Sequence, residues 1–358
     1  MRSFTKINIS QRLLDRAISF FDKLTGSLDP SAKNITIYGD NGIKMIAGDG
    51  ILTGYLIVDQ RIKRKLPPYI LPLDAIKQLK GAFDKVEIVF NDEIELSIGT
   101  ERLKIKRVRG EKAAGIPHFI RTHSIKTSSL INNIDFSTIH LLEGEETSIL
   151  MAGERLISIS ESDGHVACAI SKMQEKEQSC FSLPYASSRH LVKALSLLKI
   201  DELEIGKADG LPAIKAGGLI ISIDGEKRDG PSVLKKVEGL FSSSSDCQFF
   251  VEMKELKGAI SRAARIQRLF PSVARLFLYS DRIEVIIRQP SLFYATSART
   301  ILARNPKDCA FTISPIKLLS LLRRIGGEKA TLMVVKDGLL LKRGNMRAIL
   351  ITQSNHLA

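Results

Sequence analysis

Between Glu252 and Leu269, the cations Lys254, Lys257, Arg262, Arg265 and Arg268 recur at helical spacing. At about 100° per residue they share an arc of about 140°, opposite Met253, Leu256, Ile260, Ala263 and Ala264. No acid enters that arc. A row of ammonium and guanidinium groups of this kind suits one chemistry, an attraction to phosphate oxygens that depends on salt and ignores base sequence. The same arrangement recurs upstream. From Ser10, placed to cap a helix, to about Leu24, Arg12, Arg16 and Lys23 lie opposite Leu14, Ala17, Ile18 and Phe21. Lys77 and Lys80 follow Pro72, Arg189 and Lys193 follow Pro184, and Lys317 and Arg324 follow Pro315, each pair along a helix begun by the proline. One such cation is ordinarily a solvated surface residue. Cations on the non-core face of helix after helix point to a polyanion.

Other reactive side chains do not assemble. His165 follows Ser162-Asp163-Gly164 with no nucleophile and carboxylate in a recognisable arrangement around it, and reads as a turn histidine or a wall of a binding pocket. Gly48, Gly50 and Gly54 resemble a phosphate loop only in their glycines, because the required Lys-Ser/Thr does not follow, and they fit hairpin turns. Cys168, Cys180, Cys247 and Cys309 lack Cys-x-x-Cys spacing and read as buried thiols. No catalytic residue, metal or cofactor is expected. With 6% aromatics and no Trp, a stacking platform for single strands is missing too, which favours a duplex.

Whole-chain charge agrees with this. Among 358 residues, 53 Lys and Arg oppose 39 Asp and Glu, a net charge of +14. Residues 1–122 carry +7, 123–246 carry −5 and 247–358 carry +12. No apolar run approaches the roughly 20 residues that span a bilayer, and the opening MRSFTKINIS lacks the core of a secretion signal. A cytosolic protein without a membrane partner is expected.

Three segments reveal how the cations are positioned. YILPLDAIKQLK (69–80), FSLPYASSRHLVKAL (181–195) and FTISPIKLLSLLRR (311–324) each run from apolar residues through a Pro into a basic helix. Pro72, Pro184 and Pro315 read as one structural position used three times, since Pro suits a first helical turn. Helices over 10–24, 126–142 and 252–269 stand ahead of them. Strands fill the intervals, with turns at Gly39-Asp40-Asn41-Gly42, Asn91-Asp92, Asp163-Gly164, Asp337-Gly338 and Gly344-Asn345. Arg109 to Pro117 and Ser242 to Ser245 read as linkers. The expectation is an α+β chain of three repeated domains, 1–122, 123–246 and 247–358, with helices on one side of antiparallel sheets.

On this plan the chain resembles the sliding clamps of bacterial replication, the beta subunits of DNA polymerase III, over its whole length. Ser162-Asp163-Gly164-His165-Val166-Ala167 resembles that family's T-D-G-H-R-L turn, and Pro231, Lys236 and Val237 are similar to its P-D-Y-R-R-V segment with one residue more between them. The resemblance implies three clamp-type domains, with helices lining a ring interior and sheets forming its rim, closed head to tail as a homodimer. It implies a processivity factor, not an enzyme, that encircles double-stranded DNA and tethers a DNA polymerase. Polymerase and a separate ATP-using clamp loader would bind through short peptide motifs. The DNA contacts would be Arg12, Arg16, Lys23, Lys77, Lys80, Arg189, Lys193, Lys254, Lys257, Arg262, Arg265, Arg268, Lys317 and Arg324. The partner-peptide pocket would comprise Gly164, His165, Val166, Ala167, Pro231, Lys236, Val237 and Ile351.

Two features depart from the family. Val166-Ala167 replaces Arg-Leu, and ILITQSNHLA (349–358) replaces the C-terminal M-P-M-R-L. The chain is also basic where the family is acidic. These departures motivate an alternative, a clamp-like basic DNA-binding paralogue without ring closure or polymerase coupling, which would be a stable monomer. A DNA-modifying enzyme using His165 is a third reading, marked by turnover lost on its mutation.

Overall fold

The structure is a computed structural model that describes residues 5–26, 33–61, 65–78, 85–90, 93–106, 108–109, 115–162, 165–173, 179–242, 245, 247–335, 338–351 and 354–356. Lys80, Gly164, the turn residues Asn91, Asp92, Asp163 and Asp337, and the middle of both expected linkers lie outside the described residues, as does the side chain of Ile351.

One order of elements occurs three times. The first copy opens with β1 (Thr5–Ser10) and α1 (Gln11–Leu24), followed by β2 (Asn34–Gly39), β3 (Ile43–Gly48), β4 (Leu52–Asp59) and β5 (Leu66–Pro72). It closes with α2 (Leu73–Lys77), β6 (Lys85–Phe90), β7 (Glu93–Ile98) and β8 (Glu101–Lys106). After the short β9 (Val108–Arg109), the second copy runs β10 (Phe119–Lys126), α3 (Thr127–Ser137), β11 (Glu146–Ala152), β12 (Arg155–Ser162), β13 (His165–Lys172) and β14 (Ser179–Pro184). It ends with α4 (Tyr185–Leu195), β15 (Glu202–Ala208), β16 (Leu211–Ala216) and β17 (Leu219–Ile223). Helix α5 (Gly230–Ser242) then precedes the third copy, β18 (Gln248–Glu252), α6 (Met253–Leu269), β19 (Ala274–Leu278), β20 (Arg282–Gln289), β21 (Leu292–Arg304) and β22 (Cys309–Ile313). Its second half is α7 (Pro315–Ile325), β23 (Lys329–Val335), β24 (Gly338–Arg343) and β25 (Met346–Ile351), with β26 (Ser354–His356) appended.

Strand pairing repeats with the same fidelity. In every copy the first strand pairs with the sixth, the sixth with the seventh and the seventh with the eighth, giving β1-β6-β7-β8, β10-β15-β16-β17 and β18-β23-β24-β25. The remaining strands form β4-β3-β2-β5, β13-β12-β11-β14 and β21-β20-β19-β22. All named pairs are antiparallel, so each strand can bury one face and leave the other polar. In β6 and β7, for example, Val86, Ile88, Phe90, Ile94, Leu96 and Ile98 alternate inward.

Two joints link copies. The eighth strand of the second copy, β17, lies on the fourth strand of the first, β4, with Leu219 opposite Leu56 and Ile223 opposite Leu52. The eighth strand of the third copy, β25, lies on the fourth of the second, β13, with Leu350 opposite His165 and Met346 opposite Ala169. The chain accordingly groups into two compact units. One comprises Met1–Ile131, Met173–Glu175 and Ala186–Glu226, the other Asn132–Lys172, Lys176–Tyr185 and Lys227–Ala358.

In the first unit α1 buries Leu14, Ala17, Ile18, Phe20, Phe21 and Leu24 against β3 and β4. Gly54 lies where the helix meets β4, and a Cβ there would come within 2.7 Å of the Leu24 side chain, so close packing rather than phosphate binding accounts for this glycine. In the second unit α6 and α7 pack on each other and bury Leu256, Ile260, Ala263, Leu318, Leu322 and Ile325 over Phe249, Val251, Leu276 and Val285.

Some local expectations change. Ser10 stands at the N-cap of α1, but its side chain makes no capping bond. Pro315 is the first residue of α7, whereas Pro72 and Pro184 end the preceding strands, one residue before their helices. Proline's fixed φ fits either place, and Pro72 has the extended ψ of 120° that suits a strand end. The helix expected over 126–142 stops at Ser137.

Candidate nucleic-acid interface and partner groove

On α6, Lys254, Arg262, Arg265 and Arg268 are exposed and Lys257 is half-buried, while Met253, Leu256, Ala259, Ile260, Ala263 and Ala264 are buried. Periodicity alone sorts these residues, because a helix that buries one stripe must turn the opposite one to water. Arg262 also donates to Thr296 Oγ1 on β21, at 3.0 and 3.2 Å. On α7, Arg324 pairs with Asp135 of α3 at 3.0 Å, and Lys317 is half-buried near His140 and Glu145.

In the first unit, Arg12 and Arg16 are exposed and line a cleft of about 740 Å³ between α1 and residues 197–200 beyond α4. Lys199 joins them there and Asp15 is the cleft's one acid. Lys193 is exposed on α4, and Arg189 is half-buried. Lys77 is drawn to Asp22 at 2.7 Å and Asp74 at 3.6 Å, and Lys23 to Asp22 at 3.3 Å.

Helix α4 is held by a buried carboxylate. Asp49, in the β3–β4 turn, accepts from Ser187 Oγ at 2.8 Å, from His190 Nδ1 at 3.0 Å, and from the N–H groups of Ile51 and Leu52 at 3.0 and 2.7 Å. Burial alone would push its pKa up, but these bonds outweigh that and hold it below the usual carboxylate range. The other side of the His190 ring touches Gly26, whose φ of +60° and missing Cβ make room for it. Although Ser, His and Asp meet here, the serine bonds to the carboxylate and not to the imidazole, so the trio lacks the relay a nucleophile requires. It positions the basic helix.

The second unit carries a groove of about 940 Å³ between α5 and the face of β11, β12, β13 and β25. Ile159, Val166, Val233, Leu240 and Ile349 give it apolar walls, and charged residues surround them. Arg228 pairs with Glu146 at 2.5 Å and Lys236 with Glu161 at 3.0 Å.

No protein-family model and no curated protein matches the sequence. Solved structures do match in fold. The DNA polymerase III beta subunit of Thermotoga maritima has a TM-score of 0.82 over 99% of this chain and 100% of its own, at 13% identity. That of Pseudomonas aeruginosa also scores 0.82, over 98% and 100%, at 13% identity. The DNA polymerase sliding clamp of Bacillus subtilis scores 0.80 over 98% and 99%, at 16% identity. The chain has the sliding-clamp fold.

Within this clamp fold the pocket residues expected from sequence separate. Val166 and Lys236 line the groove. Ala167 is fully buried in the core cluster that α6 also joins, on the other face of β13, and Val237 is buried on the inner face of α5. His165 alternates to the same side as Ala167 and packs edge-on against His140, with ring centroids 6.2 Å apart. Pro231 is exposed in the first turn of α5, outside the groove lining. Strand alternation explains Ala167 and His165, and the helical form of 230–242 explains Val237 and Pro231.

No helix is expected over 230–242 from the sequence, although the signals of one are present. Asp229 accepts from Ser232 N–H at 3.3 Å, Pro231 follows, and Val233, Val237, Leu240 and Phe241 form an apolar stripe. Glu145, Glu146, Arg228 and Asp229 are groove residues that sequence reasoning misses. The acidic run Glu143-Gly144-Glu145-Glu146 is the signal for the first two.

Proposed function

We propose that the chain is a DNA sliding clamp, a homodimeric ring that encircles double-stranded DNA and tethers a DNA polymerase in the cytoplasm at the nucleoid. One observation carries this reading. Both joints between copies place the eighth strand of one copy on the fourth of the preceding copy, and that rule leaves β8 and β21 without the same kind of partner among the described residues. Among the described residues, β8 pairs only with β7, and Leu292–Ala298 of β21 pair only with β20. A second molecule would supply both missing partners and close three-plus-three copies.

The surface beside β21 supports this. Leu269 is 72% exposed, Val273 65% and Phe293 62%, an unusual apolar display. Gln289, which pairs with Leu292, bonds the Pro271 carbonyl and ties the Leu269–Val273 turn to this edge. A closed ring holds its duplex by topology, so exposed cations such as Arg12, Arg16, Lys193, Lys254, Arg265 and Arg268 need to supply only weak, sequence-blind phosphate contacts. The three domains over 1–122, 123–246 and 247–358 are the repeating parts of this ring. Tethering raises the polymerase's effective concentration at the primer end, and the groove beside Val166 and Lys236 is the site for its peptide and the loader's. No catalytic step is assigned to the clamp.

The test is loading onto nicked circular and linear duplexes with a clamp loader. Retention on the circle and loss from the linear form at moderate salt is expected, and equal loss from both overturns the ring. The alternative, an unclosed basic DNA-binding paralogue, is favoured by the cations on both open edges, and a monomer by sedimentation with and without duplex would establish it.

A further inference from the structure

The groove bounded by α5 carries charge of the opposite sign to the molecule around it. Its rim holds Glu145, Glu146, Glu161 and Asp229 against only Arg228 and Lys236, in a chain of net charge +14. With Arg228 engaged by Glu146 and Lys236 by Glu161, the rim is left net acidic by Asp229 and by Glu145, the latter with Lys317 nearby. Glu145 accepts from Ser162 Oγ at 2.6 Å and from Leu142 N–H at 2.5 Å, and these bonds hold its pKa below the usual range. Burial would raise the pKa of Glu146, but Arg228 more than compensates. Both carboxylates are therefore ionised at neutral pH, above an apolar floor of Ile159, Val166, Leu240 and Ile349.

We propose that this groove takes a peptide segment that seats an apolar side chain on the floor and presents Lys or Arg to Glu145 or Asp229. The proposal rests on the reading of the groove as a partner site and names the chemistry of that partner. Long-range attraction to a +14 chain favours acidic peptides, so a preference for a basic flank could arise only from the local carboxylates. The rim thereby rejects acidic segments that the surrounding surface attracts.

The experiment uses two fluorescein-labelled decapeptides with the same central Leu-Leu pair, one flanked by lysines and one by glutamates, titrated into the full chain by anisotropy. The lysine-flanked peptide is expected to bind about tenfold or more tightly, and to lose that advantage in the Glu145→Gln/Asp229→Asn variant. Both substitutions are isosteric, and Asn remains a competent helix cap. Equal binding, or a preference for glutamate, overturns the basic-flank proposal and leaves the groove as an apolar peptide site. A lysine preference that survives the double substitution also overturns it, because the cations are then recognised elsewhere. Failure of both peptides to bind overturns the proposal together with the partner-groove reading.

Discussion

His140 shows how one side chain ties the stability of the second unit to pH. It is 7% exposed, and burial first, then repulsion from His165 and Lys317, lowers its pKa to about 4 against a weaker opposing pull from Glu145. A histidine with a depressed folded pKa favours its neutral form. Its contribution is intact above the unfolded value of about 6.5 and is lost as pH falls toward the folded value. The unfolding free energy should therefore fall by about 3 kcal/mol between about pH 6.5 and 4 from this residue alone. His140→Phe should flatten that part of the profile, measured by urea titration at several pH values. An unchanged slope would show that His140 is not the titrating group.

At the scale of elements, the charged stripe of α6 and the apolar stripe beneath it answer to different tests. Arg265 and Arg268 are exposed and lie in no ion pair among those described, so removing them should leave packing intact. Arg265→Ala/Arg268→Ala should reduce the salt slope of duplex binding by about 2, with little change in melting temperature. A slope equal to that of the parent would place these groups away from the phosphates. Lys77, Arg324 and Lys23 differ in kind, because each has a carboxylate within 3.5 Å, and substitution there should affect DNA binding less. The sequence orders these helices and their faces correctly. It is silent on which cations meet acids from other elements, since Asp22 and Asp135 reach them through tertiary packing.

For the whole molecule, the proposed ring closure would bring together two basic edges. β8 presents Arg102, Lys104 and Lys106, and the surroundings of β21 present Arg268, Arg288, Arg299 and Arg304. Like charges at a joint repel, and salt screens them over a Debye length of about 10 Å at 0.1 M. Dimer affinity should accordingly rise between about 0.05 and 0.5 M salt, as followed by analytical ultracentrifugation. An affinity that is flat or falls with salt would remove this electrostatic account of the joint.

From the chain alone one could determine the threefold order of elements, the basic outer faces of their helices and the sliding-clamp likeness. The first two depend on local periodicity, which a helix or strand imposes on nearest neighbours, and the likeness rests on a family resemblance carried by motifs such as Ser162–Ala167. Tertiary structure decided the rest. Sheet pairing joins residues far apart in sequence, so only it shows that β17 takes β4, that β25 takes β13, and that β8 and β21 are left over. A strand's two faces are distinguished only by what packs on them, which is why Val166 reaches the groove while His165 and Ala167 turn away. The acidic rim and the Asp49–His190 contact have the same origin, since each gathers side chains that no spacing rule brings together.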